Sequence, residues 1–285
     1  MQISVMPYSF ARDMRSGSMS LPGFFAACAE LGADGVEISN SDVARLGEEA
    51  VRELLAQHQL DFPTYIISKD FVTEDEARFR RAVQEMRDEI DRGKRLGASK
   101  VMLSTGSPKA DIADDRARER IGEALRVVAQ YGQQVGVIVT TENHGGLAQF
   151  RGRLSQMVRF LEQAPLLSFT VDDGNFLLAG ENPLAALERL YPRVVHMHLK
   201  DFKAVSASDH KGFPVPGQPD QVYVGTLLGE GEVGTEQILR YLCRQGYCGY
   251  LTIEYSGEAP DRTGVAQAVE FIRRIWSDEG CTGGI

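Results

Sequence analysis

Short runs rich in β-branched residues alternate along this chain with longer stretches in which apolar residues return every three or four positions. Residues 3–9, 35–38, 62–68, 100–104, 137–142, 168–172, 194–201 and 250–255 read as strands. Between and after them, residues 21–32, 48–57, 73–96, 113–131, 154–163, 183–189, 235–244 and 265–276 carry the helical period. Local signals mark some ends: Gly32 stops the first helix, Pro165 follows the fifth, and Thr73 with Glu76 has capping-box spacing. Through most of the chain no two strands lie close enough for a hairpin. Such alternation implies parallel strands joined by crossover helices. Eight strand–helix units fit a closed (β/α)8 TIM barrel of α/β class better than an open sheet, and the first strand lacks a GxGxxG turn. No composition break divides the chain, so residues 1–285 are expected to form a single domain.

One connection is long. Residues 202–234 hold Pro214, Pro216 and Pro219 and end in Leu228-Gly229-Glu230-Gly231-Glu232. A loop of this length in a compact barrel is usually functional, and it would emerge at the carboxyl-terminal face where barrel active sites are built. It is expected to close over a substrate, with Gly225, Gly229, Gly231 and Gly234 supplying backbone freedom.

Composition narrows the classes. The 285 residues are 43% hydrophobic and 25% charged, ordinary for a globular protein, and can bury a large core. A formal net charge of -9 argues against nucleic acid or an anionic membrane as partner. The first 17 residues have no basic start and no long apolar region, so a cytoplasmic protein without a leader or membrane span is expected. Cys28, Cys243, Cys248 and Cys281 form no CxxC pair and are expected to be reduced thiols.

The candidate chemistry sits at strand ends. Residues 194–201 read Val-Val-His-Met-His-Leu-Lys-Asp, and in a strand His196 and His198 share one side. The fifth, sixth and eighth strands end in Thr140-Thr141-Glu142-Asn143-His144, Thr170-Val171-Asp172-Asp173-Gly174-Asn175 and Thr252-Ile253-Glu254-Tyr255. Four consecutive strands could bring Glu142, Asp172, His198 and Glu254 to one point. Three carboxylates with one imidazole suit one divalent cation, Mn2+ first, with Co2+, Mg2+ and Zn2+ as further candidates.

On these residues the chain resembles the xylose isomerase-like (AP endonuclease family 2) TIM barrels, in their sugar isomerase and epimerase branch. The resemblance spans nearly the whole chain through GADGVEIS at 32–39, TENHGG at 141–146, VDDGN at 171–175, HMHLKD at 196–201, LGEGEVG at 228–234 and LTIEY at 251–255. It implies that Glu142, Asp172, His198 and Glu254 hold the metal, that Asp172 rather than Asp173 is the ligand, and that Glu142 and Glu254 also form the acid–base pair. The implied activity moves a proton next to a carbonyl of a sugar or polyol through an enediolate. Many relatives carry His where this chain has Asn175, and ketose 3-epimerases carry an Arg shortly after the strand-seven His, where Lys200, Asp201, Phe202 and Lys203 stand here. The lysine and the long loop look more like inosose dehydratase-type relatives, so a metal-dependent lyase is the alternative. A non-catalytic sugar-binding barrel or subunit is another. Five histidines are too few for the three-metal site of the repair endonucleases.

Other residues keep two readings. Glu37 could bind a substrate hydroxyl or be a buried, paired carboxylate. His144 and Asn175 are candidates for substrate contact, and His144 could equally be rim packing. Lys200 is expected at a substrate oxygen, with pairing to Glu230 as its alternative, and Glu230 itself is placed near the substrate. His196 fits an interior histidine bonded to its neighbours better than a second ligand. Tyr8, Phe10 and Phe71 read as apolar rim packing or as a dry wall of the pocket. The expected partner is a small sugar or polyol, and a homo-oligomer is left open.

Overall fold

The computed structural model describes residues 1–281, apart from the side chains at 147–149; the last four residues of the expected span lie outside the described residues. β1 (Gln2–Val5) pairs in parallel with β12 (Tyr250–Ile253), from Gln2↔Tyr250 to Val5↔Ile253, so the last barrel strand lies beside the first. The sheet continues through β8 (Val194–Leu199), β7 (Ser168–Asp172), β6 (Ile138–Glu142), β5 (Lys100–Ser104) and β4 (Thr64–Ser68) to β3 (Ile38–Ser39). On the other flank β1 pairs with β2 (Gly35–Val36), and only Glu37 separates β2 from β3. The chain is a (β/α)8 TIM barrel whose second strand is split at Glu37.

The sequence builds this ring in a simple way. Parallel strands covered on both faces read as continuous apolar runs, and Val101 to Leu103 on β5 are all buried. One set of positions points outward under the helices, with Ile3, Val101, Phe169, Met197 and Leu251 fully buried there. The helix Glu76–Arg95 shows the matching pattern, burying Phe79, Ala82, Val83, Met86 and Ile90 at three- and four-residue spacing. The alternate strand positions fill the interior with a polar layer. Ser4 Oγ meets Thr252 Oγ1 at 2.6 Å, Thr140 Oγ1 meets Thr170 Oγ1 at 2.9 Å, and Thr252 Oγ1 lies 2.9 Å from His196 Nε2. These hydroxyls satisfy one another and make a floor beneath the carboxyl-terminal strand ends.

Several expectations are corrected. The first strand stops at Val5, because Pro7 opens a 3-10 turn over Pro7–Phe10. The cap of the helix Glu76–Arg95 is Asp75 rather than Thr73; its Oδ1 accepts from the amides of Ala77 at 2.8 Å and Arg78 at 3.0 Å. The segment after β8 is not an irregular loop. It folds as an antiparallel ribbon of β9 (Asp201–Ser206), β10 (Phe213–Val215) and β11 (Gln218–Thr226). Two of its glycines serve close packing, since a Cβ at Gly231 would collide with Asp201 Oδ1 and one at Gly225 with Ser256 Oγ, whereas Gly234 holds a positive φ of 79° that favours glycine. Cys243 and Cys281 are joined as a disulfide with Cα atoms 6.0 Å apart, whereas Cys28 and Cys248 are free thiols. The expectation of four reduced thiols fails because the helix Thr235–Arg244 packs against the carboxyl-terminal helix Asp261–Asp278, which brings two cysteines 38 residues apart together. Among the described residues, no helix is long and apolar enough to cross a membrane.

Candidate metal centre and active site

Inward positions recur every second residue, so strand register decides which side chains meet. Asp172 on β7 is level with His198 on β8, and His198 is level with Thr252 on β12, two residues before Glu254. Glu142 ends β6 next to β7. Glu142, Asp172, His198 and Glu254 each offer a ligand atom, and these atoms lie within 4.8 Å of one another. His198 Nδ1 stands 2.7 Å from Glu254 Oε1 and 3.3 Å from Glu142 Oε1. Lys200 reaches into the same group, with Nζ 2.6 Å from Asp172 Oδ2 and bonded to Glu254 Oε2. Asp173 is engaged elsewhere: its Oδ1 accepts from the amides of Gly174 at 2.7 Å and Lys200 at 3.0 Å.

Charge explains the arrangement. Burial alone would raise every carboxyl pKa here. For Glu142 the His198 charge overcomes burial and holds it down to about 2; for Glu254 the Lys200 ammonium has the same effect. Asp172 goes the other way, because burial together with the charges of Glu254 and Glu142 outweighs Lys200. His198 is held well above the usual imidazole range: burial opposes its charge, but Glu254, Glu37 and Glu142 outweigh burial. Three buried carboxylates at one point need positive charge, which His198 and Lys200 supply from the protein itself. The donor set and that demand for charge both fit a divalent cation.

A second layer positions the cluster. His198 turns Nδ1 to the cluster and sets Nε2 3.2 Å from Glu37 Oε2, the pairing by which a carboxylate fixes a metal-binding imidazole. Glu37 has no exposed surface, and its other oxygen meets His196 Nε2 at 2.5 Å and the hydroxyls of Ser4 and Thr252. Those surroundings are those of the buried, paired carboxylate, and a substrate hydroxyl has no access to it. Glu37, His196 and His198 also lie within ligand distance of one another. Their bonds to the hydroxyl floor give that trio a supporting role.

The remaining residues distribute as follows. Asn143 Nδ2 donates to Asp172 O at 2.9 Å and its Oδ1 accepts from Asp172 N at 3.0 Å, locking the backbone under this acid. Asn175 is buried; its amide N donates to Asp172 Oδ1 at 2.8 Å, and its Nδ2 donates to Asn143 O at 3.0 Å. His144 is exposed, near enough to Glu142 and Glu254 for their charges to act on it. Lys200 does not pair with Glu230, because Asp172 and Glu254 hold it; Glu230 is exposed on the turn that follows the ribbon. That turn hangs on Asp201, whose carboxylate accepts from the amides of Phe202, Gly229, Gly231 and Val233 at 2.9–3.1 Å. Phe10 and Phe71 are fully buried packing, and Tyr8 is 49% exposed beside a cavity of about 400 Å3 that it shares with Arg15, Lys211 and Phe213. Sequence reasoning missed Asn143 and Asp201 as positioning residues, although both stand inside the quoted motifs.

Comparison with known proteins gives the family and supports the fold. The model of the xylose isomerase-like TIM barrel family matches residues 25–275. Inosose dehydratase of Mesomycoplasma hyopneumoniae (strain 7448) is 23% identical over 274 residues, covering 89% of this chain and 88% of that protein. Inosose dehydratase 1 of Bacillus cereus is 24% identical over 137 residues, and there the chain spans about half of the relative (47% of this chain, 46% of the other). Among solved structures, IolI protein with a binding zinc atom superposes with a TM-score of 0.75 at 15% identity, covering 98% of this chain and 99% of that one. D-allulose 3-epimerase from Methylomonas sp. gives a TM-score of 0.74 at 17% identity, covering 96% and 98%.

Proposed function

This chain belongs to the xylose isomerase-like TIM barrel family, and from that premise we propose that it is a divalent-metal-dependent sugar or polyol isomerase or epimerase. One observation carries the reading: Glu142, Asp172, His198 and Glu254, from four adjacent strands, converge within 4.8 Å. These four residues would hold the cation, with Mn2+ the first choice for a carboxylate-rich set and Co2+, Mg2+ and Zn2+ as alternatives. When bound, the cation would supply positive charge to the substrate oxygen as the C–H bond beside the carbonyl breaks and an enediolate forms.

The protein's own residues supply the proton traffic. Glu142 and Glu254 stand at the two ends of the four-strand arc, so a substrate laid across it meets a carboxylate on each side. One takes the proton and the other returns it. Return to the opposite face of the same carbon epimerises; return to the neighbouring carbon shifts the carbonyl. Lys200 orients Glu254 and offers an N–H to a substrate oxygen, while His144 and Asn175 lie near enough in sequence to Glu142 and Asp172 to border the bound substrate.

Two experiments test this reading. Metal analysis of His198→Ala should show strongly reduced divalent metal, and full occupancy in that variant would sink the assignment. A metal-replete screen of ketoses, aldoses and keto-inositols followed by NMR in D2O should place deuterium at one carbon. The inosose dehydratases aligned along the chain, with Lys200 beside Glu254 as a donor to a departing hydroxyl, favour a lyase as the second reading. Loss of water in the product selects it. Thermal stabilisation by a sugar with no turnover would instead indicate a binding barrel.

A further inference from the structure

The four ligand strands occupy one arc of the barrel mouth, and the neighbouring arc holds a feature of different chemistry. β4 and β5 end at Ser68 and Ser104, which are in register. The pairing of Leu103 with Thr141 sets Ser104 level with Glu142 on the next strand, so its hydroxyl shares the inward face one strand spacing from the cluster. Over these two ends opens a cavity of about 450 Å3, lined by Ser68, Lys69, Asp70, Ser104, Gly106, Ser107 and Arg151.

Two of the charged lining residues, Lys69 and Asp70, are already matched. Lys69 pairs with Glu85, and Asp70 Oδ2 lies 2.6 Å from Lys109 Nζ. Arg151 is different. It is only 4% exposed, its Nε donates to Gly106 O at 2.9 Å and its Nη2 to Ser104 Oγ at 3.3 Å. Among the described residues it has no carboxylate within ion-pair distance. A guanidinium carries five N–H donors, and among the described residues neutral acceptors engage Arg151 at two nitrogens. Glu142 acts on Arg151 only at a distance, short of ion-pair contact; burying a cation without a contacting anion is costly, and the protein keeps this one beside a polar cavity whose Ser104 is level with Glu142.

We propose that the substrate carries an anionic group, a carboxylate or a phosphate, that docks on Arg151 and the hydroxyls of Ser68 and Ser104. Its carbonyl end then lies over the four-ligand cluster one strand away. A planar guanidinium fork matches two oxygens of either anion. The arrangement gives the substrate a fixed direction across the barrel mouth, with the anion over β4 and β5 and the reacting carbons over β6 to β12. This placement rests on the cluster being the reaction site; the anion site itself does not.

The test therefore has two arms. Inorganic phosphate and acetate are titrated calorimetrically into metal-free wild type, Arg151→Met and Arg151→Lys. At least one of them should bind wild type, with binding lost in Arg151→Met. If Arg151→Met does not fold, Arg151→Lys decides, since it keeps the buried charge without the fork and should bind about tenfold more weakly. In the second arm, metal-replete wild type is offered D-fructose, D-fructose 6-phosphate and 5-keto-D-gluconate. One anionic sugar should bind at least about tenfold tighter than the neutral one, the winner separating phosphate from carboxylate. Equal binding of all three sugars, or anion binding unchanged by both substitutions, overturns the proposal. Failure of the four residues to hold metal leaves the first arm readable, so the two ideas fall separately.

Discussion

Removing the Asp201 carboxylate should cost the protein measurable stability without touching the cluster of Glu142, Asp172, His198 and Glu254. Oδ1 accepts from Phe202 at 2.9 Å and Val233 at 3.1 Å, and Oδ2 accepts from Gly229 at 2.9 Å and Gly231 at 3.0 Å. In Asp201→Ala the Phe202 and Val233 amides lie on buried residues and are orphaned, at about 1–3 kcal/mol each. Gly229 and Gly231 are more exposed, so water can replace the lost oxygen there. The native bonds are not a pure gain, because burial raises the Asp201 pKa against the lowering effect of its amide donors. The lower part of the range therefore applies, about 2–3 kcal/mol in all. At roughly 2–4 °C per kcal/mol for a domain near this size, the Tm falls by several degrees. Asp201→Asn can keep Oδ1 as an acceptor and lose only the two outer bonds, which sets the order wild type, Asn, Ala. Urea denaturation with metal content measured in parallel checks it. An alanine variant within about 0.5 kcal/mol of wild type, or less damaged than the asparagine one, refutes the argument.

Lys200→Met should destabilise the metal-free protein by about 3–5 kcal/mol by leaving buried carboxylates uncompensated, with divalent metal restoring much of the loss; denaturation with and without Mn2+ reads both, and an equally stable metal-free variant contradicts it. Burial raises the Asp173 carboxyl to about 8 in the fold. A carboxyl raised on folding binds its proton more tightly in the native state, so it lowers stability as pH rises from near 4 to near 8, at most about 1.4 kcal/mol per pH unit. Asp173→Asn should remove that slope, and parallel wild-type and variant curves across pH 5–8 would falsify the assignment. Phe213, 41% exposed and packed edge-to-face against Phe202 with ring centroids 5.9 Å apart, stands on the ribbon. Phe213→Ala should raise KM on the best substrate while metal content stays constant; unchanged kinetics would make the ribbon a passive surface.

The ring of strands was legible because parallel strands buried on both faces cannot hide their apolar runs; 100–104 and 168–172 match β5 and β7 to the residue. The residues of the four-ligand cluster were legible for a related reason, since a chemistry-bearing side chain at a strand end leaves the barrel at one known face. The ribbon was harder to see. Its pairing depends on Lys203↔Val224 and Ala204↔Tyr223, about twenty residues apart, across a segment whose prolines and glycines suggest irregular chain. Strand two read as one run, but Glu37 turns inward to two histidines and interrupts it. Arg151 carried no local signal at all. Its meaning appears only when Ser104 and Gly106, more than forty residues earlier, are brought beneath it.

Glu37 sits in the joint between β2 and β3, where the two ends of the single barrel sheet meet, β2 paired with β1 and β3 paired with β4. The same carboxylate grips His198, which belongs to the four-ligand cluster. The clasp that closes the barrel and the clasp that would hold a cation thus share one tooth. By thermodynamic reciprocity, whatever free energy the closed joint lends to cation binding, a bound cation lends back to the joint. Amide exchange at Gly35 to Ser39 would then report on an event more than 100 residues away in the chain, and a substitution that loosens this joint would weaken metal affinity without altering any of the four residues of the cluster.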